Sequence, residues 1–432
     1  MNKAVRNTLI LRITTLFSGG LSLVLVPFFL TSNEQGYYYT FLSLVSIQVF
    51  FELGLSQVLI YVFSAQEKIN IINRDDIQSA TLYATKLFNK YAGILFFILS
   101  IILGFVFFNS NEYNDVSWQY PWIILVTCTS INLSQTSKLT YLEATGKMSY
   151  VSAMRTYQDI LGIFILIVLL LLGCGLWAVI SLALSKAIIT TYWLYSNPIT
   201  ISWRNKLKNK NFKKSYLFDV WKKEIFPMQW KISISWISGY FIFQFLTPLT
   251  FKIFGPTLAG QLGLSLNITT GLLLACTTFT TARSPEFAKL IVENNYFKLD
   301  MIFNKSLKFS IFSLSSLYLM MNIIIYFSSE YIPFITNRIL KPDLLYILCL
   351  ASLAKGVVYC LSTYLRAHRD DPYMPLSICT SILTILSVIN FSKVSFKAML
   401  FSYLIVSLIS LLASIKIFSR YKKNCQFVSH KS

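Results

Sequence analysis

The feature that most constrains this chain is a succession of long apolar segments. Each is long enough to cross the hydrocarbon core of a bilayer as a helix, which takes roughly 20 residues. They are 8–30, 36–63, 87–109, 119–143, 153–173, 176–196, 225–250, 259–281, 306–327, 343–367, 373–391 and 395–418. Because lipid offers no hydrogen-bond partner to a bare backbone, segments of this length must be helical. The sequence therefore predicts an all-α polytopic membrane protein with about twelve transmembrane helices.

Composition supports this fold class. The chain is 55% hydrophobic and 13% charged, whereas soluble domains are usually about 25% charged. The first apolar segment follows Lys3 and Arg6 and carries no small-residue cleavage site, so we expect a retained helix. No predicted loop is long enough to fold as a separate domain. Whatever this chain does, we expect it to happen within the helical bundle.

The distribution of the net charge of +20 predicts the topology. An even number of spans places both termini on one side, and we expect that side to be the cytoplasm. The cytoplasmic segments and adjoining span ends then hold 30 of the 38 Lys and Arg residues. The outer segments hold five: Lys252, Arg338, Lys341, Lys393 and Lys397. This asymmetry is the positive-inside pattern of membrane proteins.

The densest basic run, from Arg204 to Lys214, lies at the middle of the chain and has six cations in eleven residues. It has no aromatic ladder on which bases could stack, so an anionic inner leaflet is favoured over nucleic acid as its partner. We therefore predict an N-terminal six-helix bundle (1–196), a basic cytoplasmic linker (197–224) and a C-terminal six-helix bundle (225–432). The two bundles are expected to be parallel repeats.

The sequence lacks the usual signatures of enzymatic chemistry. The seven cysteines lie singly without a CxxC spacing, and there are only two histidines, so neither a disulfide framework nor a metal site is predicted. No phosphate-binding loop, HExxH or GxSxG motif occurs. These absences favour a transporter without a cofactor over an enzyme.

The stretch from Gln229 to Phe287 is unusual among the apolar segments. It is expected to form two long helices joined by a turn near Gly255. Polar residues recur on one face of the second helix at multiples of four residues: Gln261, Ser265, Thr269, Thr277 and Thr281. Such a stripe is typical either of the wall of a hydrophilic cavity or of small residues that let helices pack closely.

Charges inside the spans are the most informative residues. Arg155 and Asp159 are four residues apart in the fifth span, so we expect them to neutralise each other. The remaining intramembrane cations are Arg12, Lys186, Lys231 and Lys355, and the acid left to balance them is Glu52. An excess of positive charge at bilayer depth is costly unless water or an anion accompanies it. The sequence therefore predicts sites for a negatively charged ligand.

These residues also have simpler interpretations. Arg12 lies near the cytoplasmic end of its span, where its side chain can extend to the interface. Lys186 and Lys355 lie near the middle of their spans, where that is harder. Glu52 is interpreted as a counter-ion, as a simple buried partner, or as a coupling site for protons or sodium.

Five patches of sequence carry a resemblance to a known family. They are NEQGYYYTFLSLVSIQVFFELGLS (33–56), LEATGKMSYVSAMR (142–155), WISGYFIFQFLTPLTFKIFGPTLAGQLGLSL (236–266), ARSPEFAKLI (282–291) and YLRAHRDDPYMPLSI (364–378). With these patches the chain resembles O-antigen flippases, the Wzx-type lipid-linked oligosaccharide translocases of the multidrug/oligosaccharidyl-lipid/polysaccharide (MOP) exporter superfamily. Asp371 departs from the family pattern, in which the acid before Pro372 is usually glutamate.

The resemblance implies a twelve-helix transporter in the bacterial inner membrane. Its cargo would be an undecaprenyl-pyrophosphate-linked O-antigen oligosaccharide, moved to the outer leaflet by alternating access for lipopolysaccharide biosynthesis. Members of the family are thought to use a cation-lined cavity, and some couple transport to a proton or sodium gradient. Implied partners are membrane lipids and other polysaccharide-assembly proteins.

Together, the resemblance and the charge excess predict roles for individual residues. The predicted substrate-binding residues are Arg12, Lys186, Lys231 and Lys355. The predicted coupling or counter-ion residues are Glu52, Asp159 and Arg155.

Two alternatives remain open from the sequence. The first is a multidrug exporter of the same superfamily, although a site for cationic drugs needs acids rather than an excess of cations. The second is a membrane polysaccharide polymerase or ligase. Such an enzyme needs a large segment outside the membrane, whereas the longest predicted outer loop lies around Tyr331 to Pro342.

Overall fold

A computed structural model describes residues 3–66, 71–109, 116–198, 200, 214–331, 334, 337–368 and 372–429. Within these ranges every regular element is helical, which confirms the all-α prediction. Most of the basic run 204–214 and Asp371 lie outside the described residues.

The helices of the first part of the chain are α1 Lys3–Phe29, α2 Ser32–Val45, α3 Val49–Glu52, α4 Leu55–Gln66, α5 Ile71–Phe108, α6 Gln119–Leu142, α7 Met148–Leu171 and α8 Ser181–Ser196. Short 3-10 turns cover Ser46–Gln48 and Gly175–Ile180, and a π-helical segment covers Glu143–Lys147.

The helices of the second part are α9 Lys214–Val220, α10 Phe226–Phe243, α11 Leu246–Phe254, α12 Pro256–Thr281, α13 Ser284–Val292, α14 Tyr296–Tyr331, α15 Pro342–Ala367, α16 Met374–Ser392 and α17 Phe396–Ser429. A π-helical segment, Trp221–Ile225, joins α9 to α10.

The number of helices that can span a membrane depends on how two bent regions are counted. The described residues contain ten sufficiently long apolar helices, or eleven if the pair Ser32–Glu52 and Leu55–Phe63, bent by 44°, forms one span. One of the ten, Gln119–Leu171, has 53 residues and would be about 80 Å long if straight. It is interrupted at Gly146, whose φ of 79° is left-handed. Counting α6 and α7 as separate crossings brings the total to the predicted twelve.

Two further breaks lie within predicted spans. Leu53 and Gly54 have φ values of 52° and 62° and separate α3 from α4. A Cβ atom on Gly54 would lie 2.4 Å from Cγ2 of Ile232, so the close approach of α10 requires glycine there. The predicted helix 225–250 is divided between Phe243 and Leu246. Pro248 explains this division, because it has no N–H for the carbonyl four residues earlier and its ring clashes with that carbonyl.

The chain forms two compact units, Met1–Tyr240 and Phe241–Ser432. The boundary lies inside α10, and the residues of α10 before it pack on the first unit. Ser233 Oγ donates to the Leu53 carbonyl at 2.8 Å, and the rings of Phe50 and Tyr240 lie 5.1 Å apart. The domain boundaries at 196 and 225 remain a prediction, to which the structure adds that residues 226–240 contact the first unit.

The core of the second unit explains the polar stripe of α12. Ser265, Thr269 and Thr277 are buried beside apolar residues of α12 such as Leu262 and Leu273. Their hydroxyls donate to carbonyls one helical turn earlier, at 2.8 to 2.9 Å. Of the two interpretations of the stripe, close helix packing is the one that these contacts support.

Candidate functional site

Parallel packing of α1 against α7 fixes an acid inside the first unit. Asn7 Nδ2 donates to the Ser149 carbonyl at 3.0 Å, and Thr15 Oγ1 donates to Asp159 Oδ2 at 2.5 Å. The two pairs have nearly equal sequence separations, 142 and 144 residues, so the helices run in the same direction. Asp159 is buried, with 8% of its surface exposed. Its carboxylate is therefore held from α1 as well as from α7.

Arg155 pairs with a different acid from the one predicted. Its Nη2 atom lies 2.7 Å from Glu143 Oε1, while Asp159 accepts a hydrogen bond from Thr15. Local helix spacing favoured the pair Arg155–Asp159, but the kink at Gly146 turns the chain so that Glu143 approaches α7. This corrects the predicted pairing, and it leaves the Asp159 carboxylate for other partners.

Lys186 of α8 lies within electrostatic range of that carboxylate. The helices α7 and α8 approach closely at Gly162, where an added Cβ would lie 2.9 Å from Ser185 Oγ. This packing lets Lys186 interact electrostatically with Asp159, which attracts it, and with Arg155, which repels it. The Lys186 side chain remains exposed. The cation is therefore countered by a buried acid but still accessible from outside the unit.

The first unit thus contains a charge cluster in which acids and cations alternate. It runs from the end of α6 to α8 through Glu143, Arg155, Asp159 and Lys186. These four charges sum to zero. Arg12 adds a further positive charge, because it is exposed on α1 one turn before Thr15. The acids of this charge cluster are covered, whereas Arg12 and Lys186 are exposed.

Two other predicted residues lie beside the contact between α10 and the α3–α4 break. Lys231 is exposed and precedes Ile232, and its Nζ lies 5.8 Å from the ring centre of Trp230. Glu52 is half-buried, ends α3 and accepts a hydrogen bond from the Ser56 hydroxyl. This proximity to one junction was not predicted from the sequence, since it depends on how α10 packs.

Lys355 of α15 has a different environment, in the second unit. Its Nζ donates to Tyr403 Oη and lies 3.4 Å from the Ile242 carbonyl. It lies over the ring of Tyr403 at 3.8 Å and over that of Phe243 at 5.0 Å. Tyr403 was not singled out from the sequence, because nothing distinguishes it from other tyrosines in apolar segments.

Among the described residues, no group of three or more His, Cys, Asp or Glu side chains could hold a metal ion. The charges described at the site are the exposed cations Arg12, Lys186 and Lys231 and the covered acids Asp159 and Glu143. What this arrangement can do is attract an anion to exposed cations without exposing its acids.

Comparison with known proteins shows the fold. No family model and no curated protein matches the sequence. Among solved structures, the lipid II flippase MurJ in an inward closed conformation has a TM-score of 0.67 and 15% identity, covering 99% of this chain and 91% of MurJ.

Two further similar structures belong to the same superfamily. A mutant of the Vibrio cholerae MATE transporter VcmN has a TM-score of 0.62 and 11% identity, covering 98% of this chain and 96% of that one. A MOP superfamily transporter from Pyrococcus furiosus, described as having a binding pocket of reversed polarity, has a TM-score of 0.58 and 13% identity, covering 98% and 95%. The chain therefore has the fold of MOP superfamily transporters.

Proposed function

We propose that this protein is a flippase for undecaprenyl-pyrophosphate-linked O-antigen oligosaccharide units in the bacterial inner membrane. The observation that carries the proposal is the accessibility of cations within membrane-spanning helices of the first unit. Arg12, Lys186 and Lys231 are exposed there, while Asp159 is buried and Glu143 is engaged by Arg155.

Lys186 lies near the middle of its helix, where leaving its charge against lipid is costly. A lysine or arginine at the centre of a spanning helix costs roughly 2.5 to 3.5 kcal/mol on insertion scales. A pyrophosphate offers several charged oxygens that can accept charge-assisted hydrogen bonds from lysine and arginine. Binding such a headgroup therefore offsets the free-energy cost of the cations within the membrane.

The fold supports transport of a lipid-linked cargo in general terms. One similar structure is a flippase of lipid II, and others are multidrug transporters. The specific cargo, an O-antigen unit, comes from the sequence patches that resemble Wzx-type flippases. The proposal therefore combines a transporter fold, exposed cations and a family resemblance.

We assign roles within the first unit on this basis. Lys186 binds the pyrophosphate, and Arg12 and Lys231 extend the positive surface toward it. Asp159 holds Lys186 before cargo arrives. Arg155 is the counter-ion of Glu143, and Glu52 acts as a counter-ion or couples transport to a proton or sodium gradient. The lipid tails stay in the bilayer while the headgroup crosses by alternating access, with both termini in the cytoplasm.

A multidrug exporter is the second candidate, because MATE transporters share the fold. A cationic drug would need an accessible carboxylate, and Asp159 is buried and hydrogen bonded to Thr15. The exposed cations would also repel it. The charge distribution therefore favours an anionic cargo. The fold, shared with transporters, likewise favours transport over a polymerase or ligase reaction.

The test uses the purified chain in proteoliposomes with three cargoes of identical oligosaccharide. The cargoes are linked to the polyprenyl chain by pyrophosphate, by a single phosphate, or by a neutral ether. Transfer between leaflets is measured by exposure of the sugar to a membrane-impermeant glycosidase. We expect the rate to fall in that order. Equal rates for all three cargoes, or export of a cationic dye without transfer of any of them, would contradict the proposal.

A further inference from the structure

The end of α10 lies at a break within a membrane-spanning region. The helix ends at Phe243, and α11 begins at Leu246. Both helices belong to one apolar stretch, Leu217–Phe254. The last four carbonyls of a helix have no partner within that helix. In a bilayer, a backbone carbonyl without a partner costs several kcal/mol, so something else must satisfy it.

Two side chains from distant helices converge on one of these carbonyls. Tyr403 Oη, from α17, donates to the Ile242 carbonyl at 2.8 Å. Lys355 Nζ, from α15, lies 3.4 Å from the same oxygen and also donates to Tyr403 Oη. A cation at the carbonyl end of a helix is further stabilised by the helix dipole.

Aromatic rings complete the surroundings of the ammonium group. The ring centres of Tyr403 and Phe243 lie 3.8 Å and 5.0 Å from Lys355 Nζ. Attraction between a cation and an aromatic face strengthens when water is excluded. The carbonyl oxygen, the phenol oxygen and the two ring faces therefore do for Lys355 what a carboxylate or a bound anion would otherwise do.

We infer that Lys355 is a positioning residue that, together with Tyr403, caps the carbonyl end of α10 and fixes the α10–α11 break. This differs from the substrate-binding role predicted for Lys355 from the sequence. It also goes beyond the proposed function, since it requires no particular cargo. An anion that drew the ammonium away would remove its contacts with Tyr403 and the carbonyl, and would leave the carbonyl with the Tyr403 hydrogen bond alone.

The position of the cap along the chain gives it a mechanical consequence. The second unit begins at Phe241, so Ile242 and Phe243 are among its first residues. Their attachment to α15 and α17 anchors the start of this unit to its own core. Loosening the cap should make the first residues of the unit mobile even when no cargo is present.

Hydrogen–deuterium exchange of the protein in lipid nanodiscs, without cargo, tests the cap directly. We expect Lys355→Met to speed exchange of the amides of residues 244–247 by about tenfold, the effect of losing one charge-assisted hydrogen bond. Lys355→Arg should restore slow exchange, because it keeps the charge and the donors. The matched control is Lys393→Met, which removes an exposed lysine at the end of α16 and should change nothing at 244–247.

Tyr403→Phe keeps the test decisive if Lys355→Met does not fold. This variant keeps the ring beneath the ammonium but loses the hydrogen bond to Ile242, so exchange at 244–247 should rise severalfold. Unchanged exchange in Tyr403→Phe, or equal exchange in Lys355→Met and the wild type, would overturn the inference.

Transport of lipid-linked cargo separates a positioning role from cargo binding. A positioning residue should lower the maximal rate by the same factor for pyrophosphate and single-phosphate cargoes, with KM unchanged. A rise in KM for the pyrophosphate cargo alone would show that Lys355 binds the headgroup and would overturn the inference. If the wild type moves neither cargo, the proposed function fails, whereas the exchange result still decides the inference about the cap.

Discussion

Lys186 in the first unit and Lys355 in the second are alike in sequence and different in structure. Each is a lone lysine near the middle of an apolar segment. Lys186 is exposed and faces the field of a buried carboxylate, Asp159. Lys355 is half-buried and contacts a carbonyl, a phenol and two rings. The depth of a lysine in the membrane therefore does not establish a ligand site, and the groups that surround its ammonium decide its role.

The difference follows from the kind of group that compensates each charge. Lys186 can exchange Asp159 for an anionic ligand, because the carboxylate retains hydrogen-bond partners such as Thr15 when the ammonium leaves. The Ile242 carbonyl, in contrast, would keep only the hydrogen bond from Tyr403 if Lys355 left it. We therefore expect Lys186 to govern how tightly cargo binds and Lys355 to govern local structure.

Removing the charge of Lys186 should give the largest effect on transport. Lys186→Gln is expected to lower kcat/KM for the pyrophosphate-linked cargo by about 10- to 100-fold, the range expected for a hydrogen bond to a charged group. The change should lie mainly in KM, measured in proteoliposomes. Lys223→Gln, at an exposed lysine of the π-helical segment, is the control and should transport normally. An unchanged KM in Lys186→Gln would break the comparison.

Glu143→Gln tests the ion pair between Glu143 and Arg155, which leaves the Asp159 carboxylate to interact with Lys186. Glu143 exposes 11% of its side chain and Arg155 exposes 40%, so water screens this ion pair only partly. We expect a loss of about 1 to 2 kcal/mol of stability, less than for a fully buried pair. A lower Tm in detergent would show this loss of stability. Glu293→Gln, which removes an exposed pair with Lys289, should leave Tm unchanged. Equal shifts in both variants would contradict the structural role of Glu143.

Asp159→Asn sharpens the comparison by removing the acid that competes with cargo for Lys186. We expect KM for the pyrophosphate cargo to fall by about fivefold, since the headgroup then faces a less compensated cation. The double variant with Lys186→Gln should behave like Lys186→Gln alone, because interacting residues are not additive. A rise in KM for Asp159→Asn would mean that the carboxylate itself contacts the cargo.

Much of the fold was predictable because its signals are local. Apolar segments of spanning length predicted the helices. The turn predicted near Gly255 lies where α11 ends and α12 begins, and Gly255 has a φ of 88°. Pro248 is a local signal for the break at 244–245, but the sequence pattern groups it with Gly255 and Pro256 as part of the turn. Each of these features depends on residues within about one helical turn.

The candidate site was less predictable because its contacts join distant parts of the chain. Spacing of four residues favoured Asp159 as the partner of Arg155, but the kink at Gly146 brought Glu143 instead. The partner of Lys355 is a tyrosine 48 residues away. Neither result follows from periodicity, because both depend on the direction in which whole helices pack.

Arg12→Gln should give the smallest effect and decides between two interpretations of Arg12. Arg12 is an exposed cation on α1, one turn from Thr15, and it attracts the anionic headgroup to the first unit at long range. An interaction between exposed charges contributes about 1 kcal/mol or less. We therefore expect KM for the pyrophosphate cargo to rise about threefold, with a smaller change at high salt because the charge is screened. If Arg12 instead extends to the membrane surface, the variant should keep its KM and lose only its dependence on anionic lipid in the vesicles. In that case Lys186 would remain the residue of the first unit on which the comparison with Lys355 rests.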